Sequence, residues 1–451
     1  MIGASLKDNI FALSTPVGGA IALLRASGTE ILPVLEKIFT GNIEERKLNF
    51  GRIIDPAAEN SMEIDSAMAV YFKAPHSYTG EDMFELNLHG SYAVVSAVSK
   101  LLACQGFRQA EPGEFTKRAF LNGKLDLIQA DAVMDLILAD TERSHDAALE
   151  QLKGGLSRRI AGIEGKLIDL GTELAAAMDY PDEMEDEVLS DCEKIIDEQI
   201  FAISALVASG SGRILREGAK VVILGSPNVG KSSLMNAMTG TGRAIVTNIA
   251  GTTRDIIEEK IDLRGYPIRL VDTAGLHITD DPVEKIGIER AMAEADTAQL
   301  IIRLFDGSMG LTDSERTAFE NDRAATLYVI NKCDAAPSAC MRLAAELKEH
   351  NPKAEITIIS CKTGEGMVEF VDAMLKCMGL SESSGAIVTN ERHIACLGRA
   401  KAELQDAKKA PTTDLKALGI NSALMFLGEI TGRTAGEEIL NGIFSRFCVG
   451  K

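Results

Sequence analysis

The stretch KVVILGSPNVGKSSLMNAMTG, residues 220–240, decides the fold. Val221 to Leu224 form an unbroken apolar run that reads as a buried strand, and the segment from Lys231 has the spacing of a helix. Between them, Gly225 to Ser232 spells G-x-x-x-x-G-K-S, whose glycines let backbone N–H groups turn onto phosphates. In such a loop Lys231 reaches the β and γ oxygens and Ser232 ligates Mg²⁺, while Asn228, Val229, Gly230 and Ser233 complete the cradle. Strand, phosphate loop and helix in that order predict a Ras-like P-loop α/β domain.

Outward from the loop, the other parts of a nucleotide switch follow in sequence. The segment Thr247, Asn248, Ile249, Ala250, Gly251, Thr252, Thr253 places Thr253 about twenty residues on, as a second Mg²⁺ ligand sensitive to the γ-phosphate. Asp272 ends the run IRLVD and can hold Mg²⁺ through water; Thr273, Ala274 and Gly275 follow, the Gly275 N–H facing the γ-phosphate. NKCD, the residues Asn331, Lys332, Cys333 and Asp334, selects the base. A carboxylate at Asp334 accepts both N1–H and N2–H₂ of guanine, whereas adenine offers an acceptor at N1 and leaves the charge unpaired. Ser360, Cys361 and Lys362 close the pocket with a backbone N–H to guanine O6. The expected nucleotide is GTP.

One part departs from the common pattern. After Asp-x-x-Gly, ordinary switches carry a glutamine that orients the attacking water, but here the residue is Leu276. Two local features offer a substitute. Asn228, with the main-chain carbonyls of Thr247, Ile249 and Thr252, can cage a monovalent cation such as K⁺ against the phosphates. Glu284 in DPVEKIGIER is the nearest carboxylate for positioning water. Each has a plainer alternative: Asn228 as a turn residue, Glu284 as a solvated helix carboxylate.

At 451 residues the chain calls for about three domains. Its 46% apolar and 25% charged residues fit a folded, soluble, cytoplasmic protein, with no run long and apolar enough to span a membrane. A net charge of −19 argues against a wide nucleic-acid footprint, so any RNA contact is local or shared with a partner. The eight cysteines show no C-x-x-C pair and read as reduced thiols, Cys448 standing apart near the end. Short apolar runs such as AIALLRAS and FELNLHG predict an α+β domain over residues 1–121. Helical spacing fills 122–216 and resumes over 381–451, framing alternating strands and helices at 217–380. The latter reads as a parallel sheet with crossover helices, inserted into a discontinuous helical domain. The acidic run DYPDEMEDE, broken by Pro181, reads as a solvated helix junction rather than a metal site.

Several motifs together resemble the MnmE (TrmE) family of bacterial tRNA-modifying GTPases: YTGEDMFEL (78–86), PGEFTKRAFLNGKLDLIQADAV (112–133), GSPNVGKSSLMN, IAGTTRD, VEKIGIER and the ending FCVGK (447–451). The resemblance covers essentially the whole length. It implies an N-terminal domain that dimerises and binds a tetrahydrofolate derivative, in 5-formyl or 5,10-methylene form, at positions matching Arg25, Glu85 and Lys124, with Lys451 reaching the same pocket. It also implies potassium-stimulated GTP hydrolysis, a homodimer, and a heterotetramer with the FAD-dependent partner MnmG. The implied product carries an aminomethyl or carboxymethylaminomethyl group on carbon 5 of the tRNA wobble uridine, Cys448 acting on the uracil ring as nucleophile or acid. A structural thiol is the alternative for Cys448, and surface salt bridges are the alternative for Arg25 and Lys124. Where family members carry a basic residue before the first glycines, this chain has PVGGAIALLR, residues 16–25. A ribosome-assembly GTPase, or a purely mechanical switch with an inert thiol, remains the competing function.

Overall fold

The computed structural model describes residues 8–58, 61–207, 211–241, 243–244, 258–272, 294–311, 325–380 and 388–450. It divides into two units. One comprises Met1–Met134, Gln151–Glu164 and Asn421–Lys451; the other comprises Asp135–Glu150 and Gly165–Ile420. The two helical stretches read from the sequence are thus shared out between these units.

The first unit is built on a six-stranded sheet of β1 (Ile10–Leu13), β2 (Ile21–Gly28), β3 (Asn49–Asp55), β4 (Met62–Phe72), β5 (Asp82–His89) and β6 (Arg108–Gln109), in the order β3-β4-β5-β2-β1-β6. Alternation along β2 and β5 sorts the side chains by face. Ala22, Leu24, Leu86 and Leu88 are buried with Val95, Val98 and Leu102 of the helix Tyr92–Cys104. That helix starts where Ser91 Oγ accepts the Val94 N–H at 3.2 Å. Arg25, Glu85 and Asn87 sit on the opposite face, where burial is partial. The sequence reading picked out β2 and β5 but not the short β1.

The second unit carries a seven-stranded sheet among the described residues: β7 (Ala219–Leu224), β8 (Arg243–Ala244), β9 (Glu258–Leu263), β10 (Tyr266–Asp272), β11 (Leu300–Asp306), β12 (Thr326–Asn331) and β13 (Glu355–Ile358). Its order is β13-β12-β11-β7-β10-β9-β8. Five strands are parallel as expected, but at one edge β9 runs antiparallel to β10 and the short β8 antiparallel to β9, which corrects the expectation of a parallel sheet throughout. The cause is a two-residue turn: Arg264 and Gly265 have φ of 51° and 85°, the pair of positive values that a tight hairpin demands. Asp262 Oδ1 accepts the Gly265 N–H at 2.6 Å and closes the turn. EEKIDL, next to the two-residue edge strand β8, escaped notice because it carries charge where a central strand carries valine.

The long helices Gly155–Asp179 and Pro181–Val207 break between Asp179 and Pro181, where proline takes a first-turn position that needs no N–H partner. The side chains of residues 181–190, and so the acidic cluster itself, lie outside the described residues. No helix among the described residues is long and apolar enough to cross a membrane.

A guanine-nucleotide site and a second polar site

Strand order places the nucleotide loop. β7 lies between β10 and β11, so the loop after Leu224 leaves the sheet at its carboxyl edge, beside the ends of both neighbours. Asp272 pairs in register with Ile223, so its backbone stands next to the strand that opens the loop. The helix Lys231–Thr241 begins directly after Gly230, the Leu234 N–H bonding to the Gly230 carbonyl at 2.8 Å. Asn228 has φ 62° and Gly230 φ 105°; asparagine tolerates the first value and only glycine the second. A Cβ at Gly230 would lie 2.4 Å from Asn331 Nδ2, and one at Gly225 would lie 2.4 Å from the Leu304 carbonyl. Both glycines are therefore there for close approach. Lys231 Nζ donates to the carbonyls of Gly225 and Ser226 at 2.7 and 3.0 Å.

Asn331 joins the three recognition segments. Buried at 3% exposure, it donates from Nδ2 to the Val229 carbonyl at 3.0 Å and accepts the Cys361 N–H at Oδ1, 3.1 Å. Ser360 Oγ, wholly buried, donates to Asp334 Oδ1 at 2.7 Å and accepts the Thr363 N–H. The Asp334 carboxylate is thereby tethered by one oxygen while the residue stays exposed. Lys332, at φ 69°, donates to the Asn228 carbonyl at 3.1 Å and to Asp306 Oδ2 at 2.6 Å. Burial pushes the Asp306 carboxyl up, but hydrogen bonds from Lys332 and Ser308 together with the Lys332 charge outweigh it and leave the group below its ordinary range. Burial drives the Cys361 thiol up to about 11; its own backbone hydrogen bond opposes and Asp334 adds to the rise. That thiol is protonated near neutrality and inert.

Of the other predicted nucleotide residues, Thr247 to Thr253, Thr273 to Gly275, Leu276 and Glu284 lie outside the described residues, as does the Asp272 side chain. Asp306 was missed by sequence reasoning. Its signal was its place at the end of a buried strand, the position Asp272 and Asn331 also occupy.

A second constellation lies in the first unit. Arg25 and Glu85 face each other in register on β2 and β5 and form an ion pair, with Nε and Nη2 at 2.8 and 2.7 Å from Oε1. The guanidinium sits 5.6 Å from the centroid of the Tyr78 ring and 5.8 Å from that of Phe115, within cation–π range of both. Among the described residues nothing bonds Glu85 Oε2. Lys124 Nζ donates to the Pro75 carbonyl at 2.9 Å, at the root of the loop that carries Tyr78, rather than to Glu85. Lys451 lies outside the described residues.

Behind this pair runs a network that sequence reasoning did not find. Arg118, 1% exposed, bonds Glu81 through Nη1 at 3.0 Å and Glu114 through Nη2 at 2.8 Å. Arg108 approaches Glu114 to 2.6 Å. Ser27 Oγ donates to Glu81 Oε2 at 2.8 Å, tying β2 to the same loop. Burial would raise the Glu114 carboxyl, but hydrogen bonds from Arg108, the Glu111 N–H and Arg118, with the Arg118 charge, hold it down at about 2. Thus YTGED and PGEFTKR, 30 residues and more apart in sequence, are interlocked by buried charge. Removing one partner of such a buried pair strands the other's charge and is strongly destabilising.

The comparisons with known proteins cover both constellations. The family description "GTP-binding protein TrmE N-terminus" matches residues 9–124, and "MnmE helical domain" matches residues 127–448. A tRNA modification GTPase MnmE of Lactiplantibacillus plantarum is 38% identical over 458 residues, spanning 98% of each chain. That of Alkaliphilus oremlandii is 39% identical over 466 residues, and that of Symbiobacterium thermophilum 40% over 464; each alignment spans 99% of this chain and 100% of the relative. With its phosphate loop, its guanine-type recognition loops and the interlocked N-terminal motifs accounted for at this coverage, the chain belongs to the MnmE (TrmE) family of tRNA modification GTPases.

Proposed function

We propose that this chain is a GTP hydrolase of tRNA modification that works on carbon 5 of the wobble uridine. The observation that carries the nucleotide half is the Asn331 bridge, which fixes the phosphate loop, NKCD and SCK as one pocket. Within it Asp334 Oδ2, the oxygen not tethered by Ser360, meets guanine N1–H, and the Lys362 N–H meets O6, since the Cys361 N–H is engaged by Asn331. Lys231 leaves the loop carbonyls for the β and γ oxygens. Ser232 and Thr253 take Mg²⁺, with Asp272 behind through water. Asn228, whose side chain is exposed at the mouth of the loop, takes K⁺ with the carbonyls of Thr247, Ile249 and Thr252. The ion supplies positive charge against the phosphates. Glu284 positions the water that Leu276 cannot.

The chemical half belongs to the first unit. A tetrahydrofolate derivative, when bound, supplies the one-carbon unit. Glu85 suits its pterin edge, because Arg25 orients the carboxylate through Oε1 and leaves Oε2 open to adjacent N–H donors. Lys124 and Lys451 suit the carboxylates of its tail. Cys448, exposed near the end of the chain, acts on the uracil ring as nucleophile or acid. A homodimer, joined by the FAD-dependent MnmG in the cytoplasm, completes the reading.

Hydrolysis of GTP against ATP by the purified chain tests the base pocket. Asp334→Asn should shift preference from guanosine to xanthosine nucleotides, because the amide donates where the carboxylate accepted. Retained guanosine preference would show the pocket misassigned.

A further inference from the structure

The carboxyl-terminal tail is seated rather than free. Phe444, last residue of the helix Glu437–Phe444, and Phe447 are 2% and 6% exposed and pack with Leu127, Ala130 and Met134. Beyond them the Gly113 N–H approaches the Cys448 carbonyl at 3.4 Å, and Ser14 Oγ donates to the Gly450 carbonyl at 3.3 Å. Two glycines make this approach possible. Gly113 has φ 70°, and a Cβ on it would stand 2.5 Å from the Phe444 carbonyl oxygen and 3.0 Å from Phe447 Cβ. Gly450 has φ 94°, and a Cβ on it would stand 2.7 Å from the Leu13 carbonyl oxygen. Backbone meets backbone at both points, so neither collision is relieved by a side chain turning away. In β1, Leu13 pairs with Leu24 and Ala12 with Arg25, which brings the last described residue of the tail to the strand beside Arg25. Cys448, whose own carbonyl is the first anchor point, is exposed.

We propose that Gly113 is a positioning residue for the modification reaction: it is the seat of the tail and fixes where the Cys448 thiol stands relative to the Arg25 and Glu85 site. The role rests on Cys448 as the reacting group; the seat itself does not. Gly106 provides the control. It has φ 88° in the same unit, with no atom within 4 Å of an added Cβ, so alanine there carries backbone strain without collision.

The experiment compares Gly113→Ala and Gly106→Ala in the full chain by four readouts: hydrogen exchange of residues 444–450, iodoacetamide alkylation of Cys448, GTP hydrolysis, and wobble-uridine modification. Gly113→Ala should speed exchange of the tail about tenfold and alter the alkylation rate, with GTP turnover unchanged. It should lower kcat for modification by about tenfold to a hundredfold, the scale of an ångström of misplacement. Gly106→Ala should match wild type. If Gly113→Ala fails to fold, Phe447→Ala loosens the seat from the other side and should give the same pattern. Tail exchange equal in the two glycine variants would overturn the seat. A loosened tail with normal modification would overturn the positioning role. Wild-type modification by Cys448→Ser would remove the thiol reading, and with it the role of Gly113, while leaving the exchange result to stand for the seat.

Discussion

Replacing Asn331 by alanine strips two partners at once from a buried place. The Val229 carbonyl loses its donor at 3.0 Å and the Cys361 N–H loses its acceptor at 3.1 Å. A buried polar group left alone costs about 1–3 kcal/mol. Some of that is recovered if the loops part and admit water, so the expected loss of GDP affinity is about 2–4 kcal/mol, or roughly 30-fold to 1,000-fold in Kd. Fluorescent-nucleotide displacement on the full chain reads it directly. Asn331→Asp is the informative companion. It keeps the acceptor for Cys361, loses the donor for Val229 and sets a carboxylate against a carbonyl, so it should bind no better than alanine. A Kd for either variant within about threefold of wild type would refute the bridge, because a difference that small is under 1 kcal/mol.

Further predictions concern the loop, the ion and the buried charges. Gly230→Ala should abolish nucleotide binding, since its Cβ would stand 2.4 Å from Asn331 Nδ2; measurable GDP binding by that variant would mean the loop can move away. GTP turnover should rise several-fold when K⁺ replaces Na⁺, and Glu284→Ala should slow hydrolysis with nucleotide affinity kept; equal rates in the two salts would contradict the cation cage. Glu114 is lowered on folding from 4.5 to about 2, so its contribution is present in full above pH 4.5 and is lost as pH falls towards 2. It amounts to about 3 kcal/mol. The stability of wild type against chemical denaturant should therefore fall from pH 5 to about pH 2 by more than that of Glu114→Gln; identical pH slopes would show that the carboxylate is not held down.

The phosphate loop was legible because its chemistry is local: glycines, a lysine and a serine at fixed spacing between a strand and a helix. NKCD was legible for the same reason, although the sequence assigned Asn331 to the base pocket without showing that it also laces the loops together. Arg118 was not legible. Its partners Glu81 and Glu114 lie 37 and four residues away, and no periodicity distinguishes a buried arginine from a surface one. The antiparallel edge was hidden because Arg-Gly is a rarer hairpin turn than Asn-Gly and EEKIDL lacks the apolar run of a central strand. Arg25 and Glu85 were placed by motif, but sequence could not show that they pair with each other across β2 and β5. Lys124, expected beside them, bonds the Pro75 carbonyl instead.

The central claim is that one chain unites a guanine-nucleotide engine with a folate-dependent modification site, both needed for a single product. Mass spectrometry of the wobble nucleoside, in tRNA from bacteria lacking their own family enzyme and supplied with this chain, tests it most directly. Wild type should restore the carbon-5 modification, and Asp334→Ala and Glu85→Ala should each abolish it, the latter with GTP hydrolysis intact. Full restoration by either variant would contradict the account.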